Sequence, residues 1–135
     1  MAIEESIFSQ ASGYAGLTAL ISTNPCRFYL GLMQQDPAYP SCTYSQVSAP
    51  REALMGADPG IVHARYQVDC WDTTRIGARD LAKQVRACFQ RWRGTVGGVV
   101  IFDTFIDDER DLPADLVSNV ALHRRMVDLL IHYAE

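Results

Sequence analysis

The sequence predicts an α+β domain: a mainly antiparallel sheet of about five strands, with an N-terminal helix and one long central helix packed on one face. Two patterns carry that expectation. From Ile61 to Asp72 the residues alternate, with Val62, Ala64, Tyr66, Val68 and Cys70 on one side and His63, Arg65, Gln67 and Asp69 on the other. That is the two-residue period of a strand with one packed and one polar face, the antiparallel arrangement. From Asp72 to Gly94 the period becomes helical. Leu81, Val85, Cys88, Phe89 and Trp92 make an apolar stripe, and Arg75, Arg79, Lys83, Arg86 and Arg93 fall opposite it.

The remaining elements follow in chain order. Ala2 to Ala11 reads as a short amphipathic helix with Ile3, Ile7 and Phe8 on one side, and Ser12-Gly13 interrupts it. Gly16 to Ser22 adds a turn or two carrying Leu17, Leu20 and Ile21, ended by Thr23-Asn24-Pro25. Cys26 to Met33, rich in aromatic and aliphatic residues, reads as a strand, and the two prolines of Gln34 to Pro40 make a loop. Ser41 to Ser48 alternates as a strand. Ala49 to Gly60 is a loop by its turn formers, yet it carries Leu54 and Met55; exposed apolar residues on so long a connection often mark a partner surface, the alternative being a loop that folds back and buries both in the core.

In the central helix, Asp72, Thr73 and Thr74 offer caps at the start, and Gly94 suits a left-handed end. Burying its stripe yields on the order of 10 kcal/mol gross, at ~1.5–3 kcal/mol per large apolar side chain. Propensity differences are only tenths of a kcal/mol per residue, so packing against a sheet decides this helix. Gly94 to Gly98 reads as a turn into the short buried strand Val99-Val100-Ile101-Phe102, continuing to about Ile106. Asp107 to Ser118 reads as a charged loop in which Pro113 opposes regular pairing. Val120 to Tyr133 fits a helix or a strand. The strand is preferred because Val99 to Ile106 otherwise lacks a partner.

A length of 135 residues suits a single domain over residues 1–135. No run approaches the ~20 apolar residues of a membrane span, and the acidic start Met1-Ala2-Ile3-Glu4-Glu5 lacks the features of a secretion signal. A soluble protein made in the cytoplasm is expected. Cys26, Cys42, Cys70 and Cys88 are far apart without a C-x-x-C pair, which suits reduced, buried cysteines.

Catalytic constellations are missing. The chain has no phosphate-binding glycine loop followed by Lys-Ser or Lys-Thr, and no G-x-S-x-G elbow. His63, His123 and His132 lack metal-ligand spacing, and Asp107-Asp108-Glu109-Arg110-Asp111 lacks the alternating acids and central glycine of a calcium loop. The basic helix face has no interleaved aromatics, which argues against nucleic-acid reading. No catalytic residue, cofactor or metal is expected.

The net charge of −4 conceals a segregation. Six of the twelve basic residues lie between Arg75 and Arg93, and six of the sixteen acids lie between Asp103 and Asp115. Such a division can favour head-to-tail contacts between copies, or can mark two solvated faces.

Five stretches, in order, carry a resemblance: Pro40-Ser-Cys-Thr-Tyr-Ser-Gln-Val-Ser48, Ala64-Arg-Tyr-Gln-Val-Asp-Cys-Trp71, Ala78-Arg-Asp-Leu-Ala-Lys-Gln-Val-Arg86, Gly98-Val-Val-Ile101 and His123-Arg-Arg-Met-Val-Asp-Leu-Leu-Ile-His-Tyr133. This arrangement resembles the tail-completion, or tail-terminator, proteins of long-tailed bacteriophages and related tail-like particles. The resemblance implies a structural subunit of a virion, assembled in the host cytoplasm as a hexameric ring. Such a ring caps the tail tube, stops its polymerisation and gives the head connector or neck proteins a docking surface. Genomic DNA would meet it only on passing through the lumen.

A closed ring joins two different patches on each subunit. Here Arg75, Arg79, Lys83 and Arg86 are expected to face Asp107, Asp108, Glu109 and Asp111 of the next copy, and Arg51, Leu54 and Met55 to face the tail tube. The alternatives are another head–tail joint or minor tail ring protein, and a small enzyme or ligand-binding module using Cys70, His63 and Asp69.

Overall fold

The computed structural model describes residues 3–22, 26–31, 39–51, 60–96, 98–117 and 120–134, with backbone alone for 114–117 and 120. Within these residues the elements are α1 (Ile3–Gly13), α2 (Ala15–Ile21), β1 (Phe28–Leu30), β2 (Ser41–Ser48), β3 (Ile61–Asp72), α3 (Arg75–Phe89), β4 (Gly94–Val96), β5 (Val99–Val117) and β6 (Val120–Ala134). The fold is α+β. One six-stranded sheet runs in the order β1-β2-β3-β6-β5-β4, with β1 parallel to β2 and every other neighbouring pair antiparallel.

The sheet is built on β3 and β6, which stay in register from Ile61–Ala134 to Asp72–His123. β3 alternates along its length and β6 does so from Val127 to Ala134, so one face collects Val62, Ala64, Tyr66, Val68 and Cys70 with Val127, Leu129, Ile131 and Tyr133, all buried. The helices cover this face. α3 contributes Ala78, Leu81, Ala82, Val85, Cys88 and Phe89, so the apolar stripe read in the sequence is the one that packs. Phe89 anchors an aromatic row, with its ring centroid 6.1 Å from Phe28 and 5.5 Å from Trp92. Polar contacts pin α1 to this layer. Gln10 Nε2 donates to the Cys88 carbonyl at 2.9 Å, Ser6 Oγ donates to the Val96 carbonyl at 3.2 Å, and Tyr44 Oη donates to the Glu4 carbonyl at 3.0 Å.

Four expectations need correction. The sheet has six strands rather than five, the extra one being β4, because Gly94–Val96 pairs with Val99–Ile101 instead of forming part of a turn. The acidic segment from Asp107 onward is strand as far as Val117. Pro113 falls in the irregularity between Leu112 and Asp115, where the ladder is already interrupted, so its missing N–H removes no rung. Only Val99 and Ile101 of the stretch expected to be wholly buried are so; Val100 and Phe102 are exposed. The left-handed residue that ends α3 is Arg91 (φ 59°); Gly94 also has a positive φ, 133°, but three residues later, where β4 begins. Tertiary contacts hold Arg91 there: its N–H donates to the Thr104 carbonyl at 2.8 Å, and its guanidinium lies 2.8 Å from Asp103 and 4.7 Å from the Phe105 ring centre.

Candidate subunit-interface surface

The basic face of α3 starts from a well-made cap. Thr74 is the N-cap residue, and its Oγ1 accepts from the Gly77 N–H at 3.0 Å. At 100° per residue, Arg75, Arg79, Lys83 and Arg86 fall within about 80° of the helix circumference. One edge of that stripe lies over β5, the other faces outward.

On the β5 side the charges are satisfied within the chain. Arg75 Nη2 lies 2.9 Å from Asp111 Oδ2, and Asp111 Oδ1 accepts from Arg125 Nη1 at 2.7 Å. Arg125 Nε donates to Glu109 Oε1 at 2.9 Å, and Glu109 Oε2 lies 3.2 Å from Arg86 Nε. The last contact is close enough for ion pairing but is not aligned as a hydrogen bond. The result is an alternating chain, Arg75–Asp111–Arg125–Glu109–Arg86, that ties α3 to β5 and β6. Its centre is the least exposed part, with side-chain exposures of 18% for Arg125 and 15% for Glu109. Hydrogen bonds from Arg75 and then Arg125 hold the Asp111 carboxyl below its ordinary pKa.

Arg125 is the residue that sequence reasoning quoted without giving it a task. The signal was present: position 125 belongs to the buried alternation of 127, 129, 131 and 133, where a charge requires partners.

The other acids of β5 lie elsewhere. Asp107 pairs with Arg65, and Asp108 lies 3.5 Å from Arg110, all on exposed or half-exposed side chains. Arg79 and Lys83 are exposed and make no ion pair among the described residues. Beside them Ile76 is 73% exposed. Of the expected interface set, then, Arg75, Arg86, Glu109 and Asp111 are bound into one subunit, while Arg79, Lys83, Asp107 and Asp108 stand at its surface.

Arg51 is exposed and forms an isolated bridge with Val62. Leu54 and Met55 lie outside the described residues. The proposed thiol-enzyme group is not assembled. Cys70 is fully buried on the helix-covered side, whereas His63 and Asp69 project from the opposite face of the same strand. There His63 packs edge-on against His132 at 4.3 Å, and Asp69 accepts from Gln67 at 2.9 Å. On that face Arg124 also lies 4.9 Å above Trp71, whose Nε1 donates to Thr43 Oγ1 at 3.1 Å.

The family described as tail completion protein gp17 matches residues 5–133. The chain belongs to that family. As a member of it, this tail completion protein is a structural component of a phage-type tail. A chain from the virion of a native gene transfer agent particle has a similar fold, with a TM-score of 0.61 and 13% identity over 99% of this chain and 96% of that one. A second solved structure shares the fold at a TM-score of 0.51 and 11% identity, covering 96% of each chain. No curated protein matches in sequence. Among the described residues, no helix is long and apolar enough to cross a membrane.

Proposed function

We propose that this tail completion protein is a ring subunit, six copies of which close head to tail on the finished tail tube. The ring stops tube polymerisation and offers its outer end to the head connector or neck proteins, with genomic DNA passing through the lumen. It acts in the virion after assembly in the host cytoplasm, and its work is structural rather than catalytic. The observation that carries this reading is the family match over nearly the whole chain.

The charge layout supports the ring. A heterologous interface needs two unlike patches. One is the outward flank of α3, with Arg79 and Lys83 beside the exposed Ile76. The other is the acidic stretch of β5 at Asp107 and Asp108. The pairs that Asp107 and Asp108 make within the subunit are exposed or half-exposed and worth little, about 0–1 kcal/mol each, so they can be exchanged for partners on a neighbour. The segment with Arg51, Leu54 and Met55 is assigned to the tail tube.

Native mass measurement on the purified chain and its Arg79→Glu, Lys83→Glu double variant tests the interface. The wild-type chain should assemble into hexamers that high salt weakens, because exposed pairs are screened. The variant should remain smaller. Hexamers indifferent to both salt and charge reversal would overturn the pairing, and a wild-type chain that is monomeric with and without tail tubes would overturn the ring.

A further inference from the structure

Three of the four buried cysteines gather where β1, β2 and β3 meet, and two of them are paired by register. Cys42 on β2 stands directly opposite Cys70 on β3. Which kind of antiparallel site this is follows from the neighbouring strand. The Cys42 N–H donates to the Arg27 carbonyl at 2.9 Å, and the Tyr44 carbonyl accepts from the Gly31 N–H at 2.8 Å. The even residues of β2 thus turn their backbone groups toward β1, away from β3. Cys42 and Cys70 therefore form a non-hydrogen-bonded pair, the site at which the Cα atoms approach to about 4.5 Å and side chains come closest. That spacing lies within the ~4.4–6.8 Å range that a disulfide spans. Both thiols are free and completely buried.

We propose that Cys42 and Cys70 are a latent cross-strand disulfide, formed when the assembled chain meets a small-molecule disulfide as oxidant. One cysteine thiolate attacks a sulfur of oxidised glutathione, releasing one glutathione thiolate and leaving a mixed disulfide. The facing cysteine then attacks the protein sulfur of that bond and expels the second glutathione. The two thiol protons pass to the two departing thiolates, so two cysteines are oxidised and one glutathione disulfide is reduced.

The same geometry makes the reaction slow. Burial, and then the facing Cys70, push the Cys42 thiol well above its usual pKa, so the nucleophilic thiolate is scarce. Access requires local opening at the edge of the sheet, where, among the described residues, β1 pairs with β2 at three positions. The pair stays reduced in a reducing compartment and closes afterwards. Once closed, the bond ties β2 to β3 and constrains a 29-residue loop of the unfolded chain.

The test incubates the full-length chain with oxidised glutathione a few degrees below its unfolding midpoint, alongside a Cys42→Ala variant. In the wild type, free thiols should fall from four to two, and peptide mapping without reductant should join the peptides of Cys42 and Cys70. The unfolding midpoint should rise by about 7–13 °C, as expected for a loop of this length in a domain of this size. The variant should gain neither the crosslink nor the shift. Four thiols remaining after prolonged incubation, or a link that joins Cys26 instead, would overturn the proposal.

Discussion

Replacing Arg125 with Met removes the centre of the ion chain that fastens α3 to the sheet. Arg125 makes two charge-assisted hydrogen bonds, at 2.9 Å to Glu109 and 2.7 Å to Asp111. Such bonds contribute about 1.5–3 kcal/mol each when intact. Breaking a fully buried pair costs about 3–5 kcal/mol, whereas an exposed one costs under 1. With Arg125 18% exposed and Asp111 28%, the site lies between these limits. Arg75 and Arg86 also still hold the outer oxygens of the two acids. A loss of about 2–3 kcal/mol follows, and with an unfolding entropy near 0.3 kcal/mol per degree for this length the midpoint should fall by about 7–10 °C.

The pH dependence has a definite sign. Asp111 titrates lower in the folded chain than its ordinary value of 3.8. Its contribution is therefore complete above that value and fades as the pH falls through the lower, folded one. The gap between wild type and Arg125→Met should be widest near neutrality and close below about pH 4. Thermal unfolding by circular dichroism across that range reads both quantities. A triple variant that also carries Glu109→Gln and Asp111→Asn removes the two acids that lost Arg125, while Arg75 and Arg86 are exposed enough for water to solvate them, and should recover at least half of the loss. A midpoint within 2 °C of wild type at pH 7, a gap unchanged by acid, or a triple variant no better than the single would refute the reasoning.

Gly77→Ala puts a methyl group on the Asp72 carboxylate and 2.8 Å from Thr74 Oγ1, so the cap must open; a net loss of about 1 kcal/mol is expected despite alanine's better helix propensity, measured by urea unfolding. Phe89→Ala empties a fully buried site between Phe28 and Trp92 and should cost about 3–5 kcal/mol in the same assay. Arg79→Glu with Lys83→Glu should leave the unfolding midpoint within a degree or two of wild type while reducing assembly. A folding defect of the size expected for Phe89→Ala would show that these side chains serve the subunit instead.

The parts of the fold legible in the sequence are those in which one segment alone records its surroundings. β2 and β3 were expected at Ser41–Ser48 and Ile61–Asp72 and occupy those spans, and the stripe from Leu81 to Trp92 is buried as read. The β5–β6 hairpin was half legible. Its second arm shows the alternation of Val127, Leu129, Ile131 and Tyr133, but its first arm carries acids and a proline that suit a loop. What makes it a strand is the partner: Asp111 faces Arg125, Glu109 faces Val127, and bulges absorb Asp107 and Pro113. Arg91 is a similar case, since its positive φ is held by Asp103, Thr104 and Phe105, far from it in sequence.

The charged site divides along the same line. Its two signs were visible as separate runs, but which charges are bound within a subunit depends on register. Four expected interface residues are taken up by Arg125 and by each other, which no spacing rule along α3 alone can reveal.

Electron microscopy of negatively stained tail tubes mixed with the purified chain tests the central claim most directly. The expected image is a six-fold ring seated on one end of each tube, with tubes so capped no longer lengthening when fresh tube protein is added. Bare tube ends that keep growing in the presence of a folded, abundant chain would contradict it.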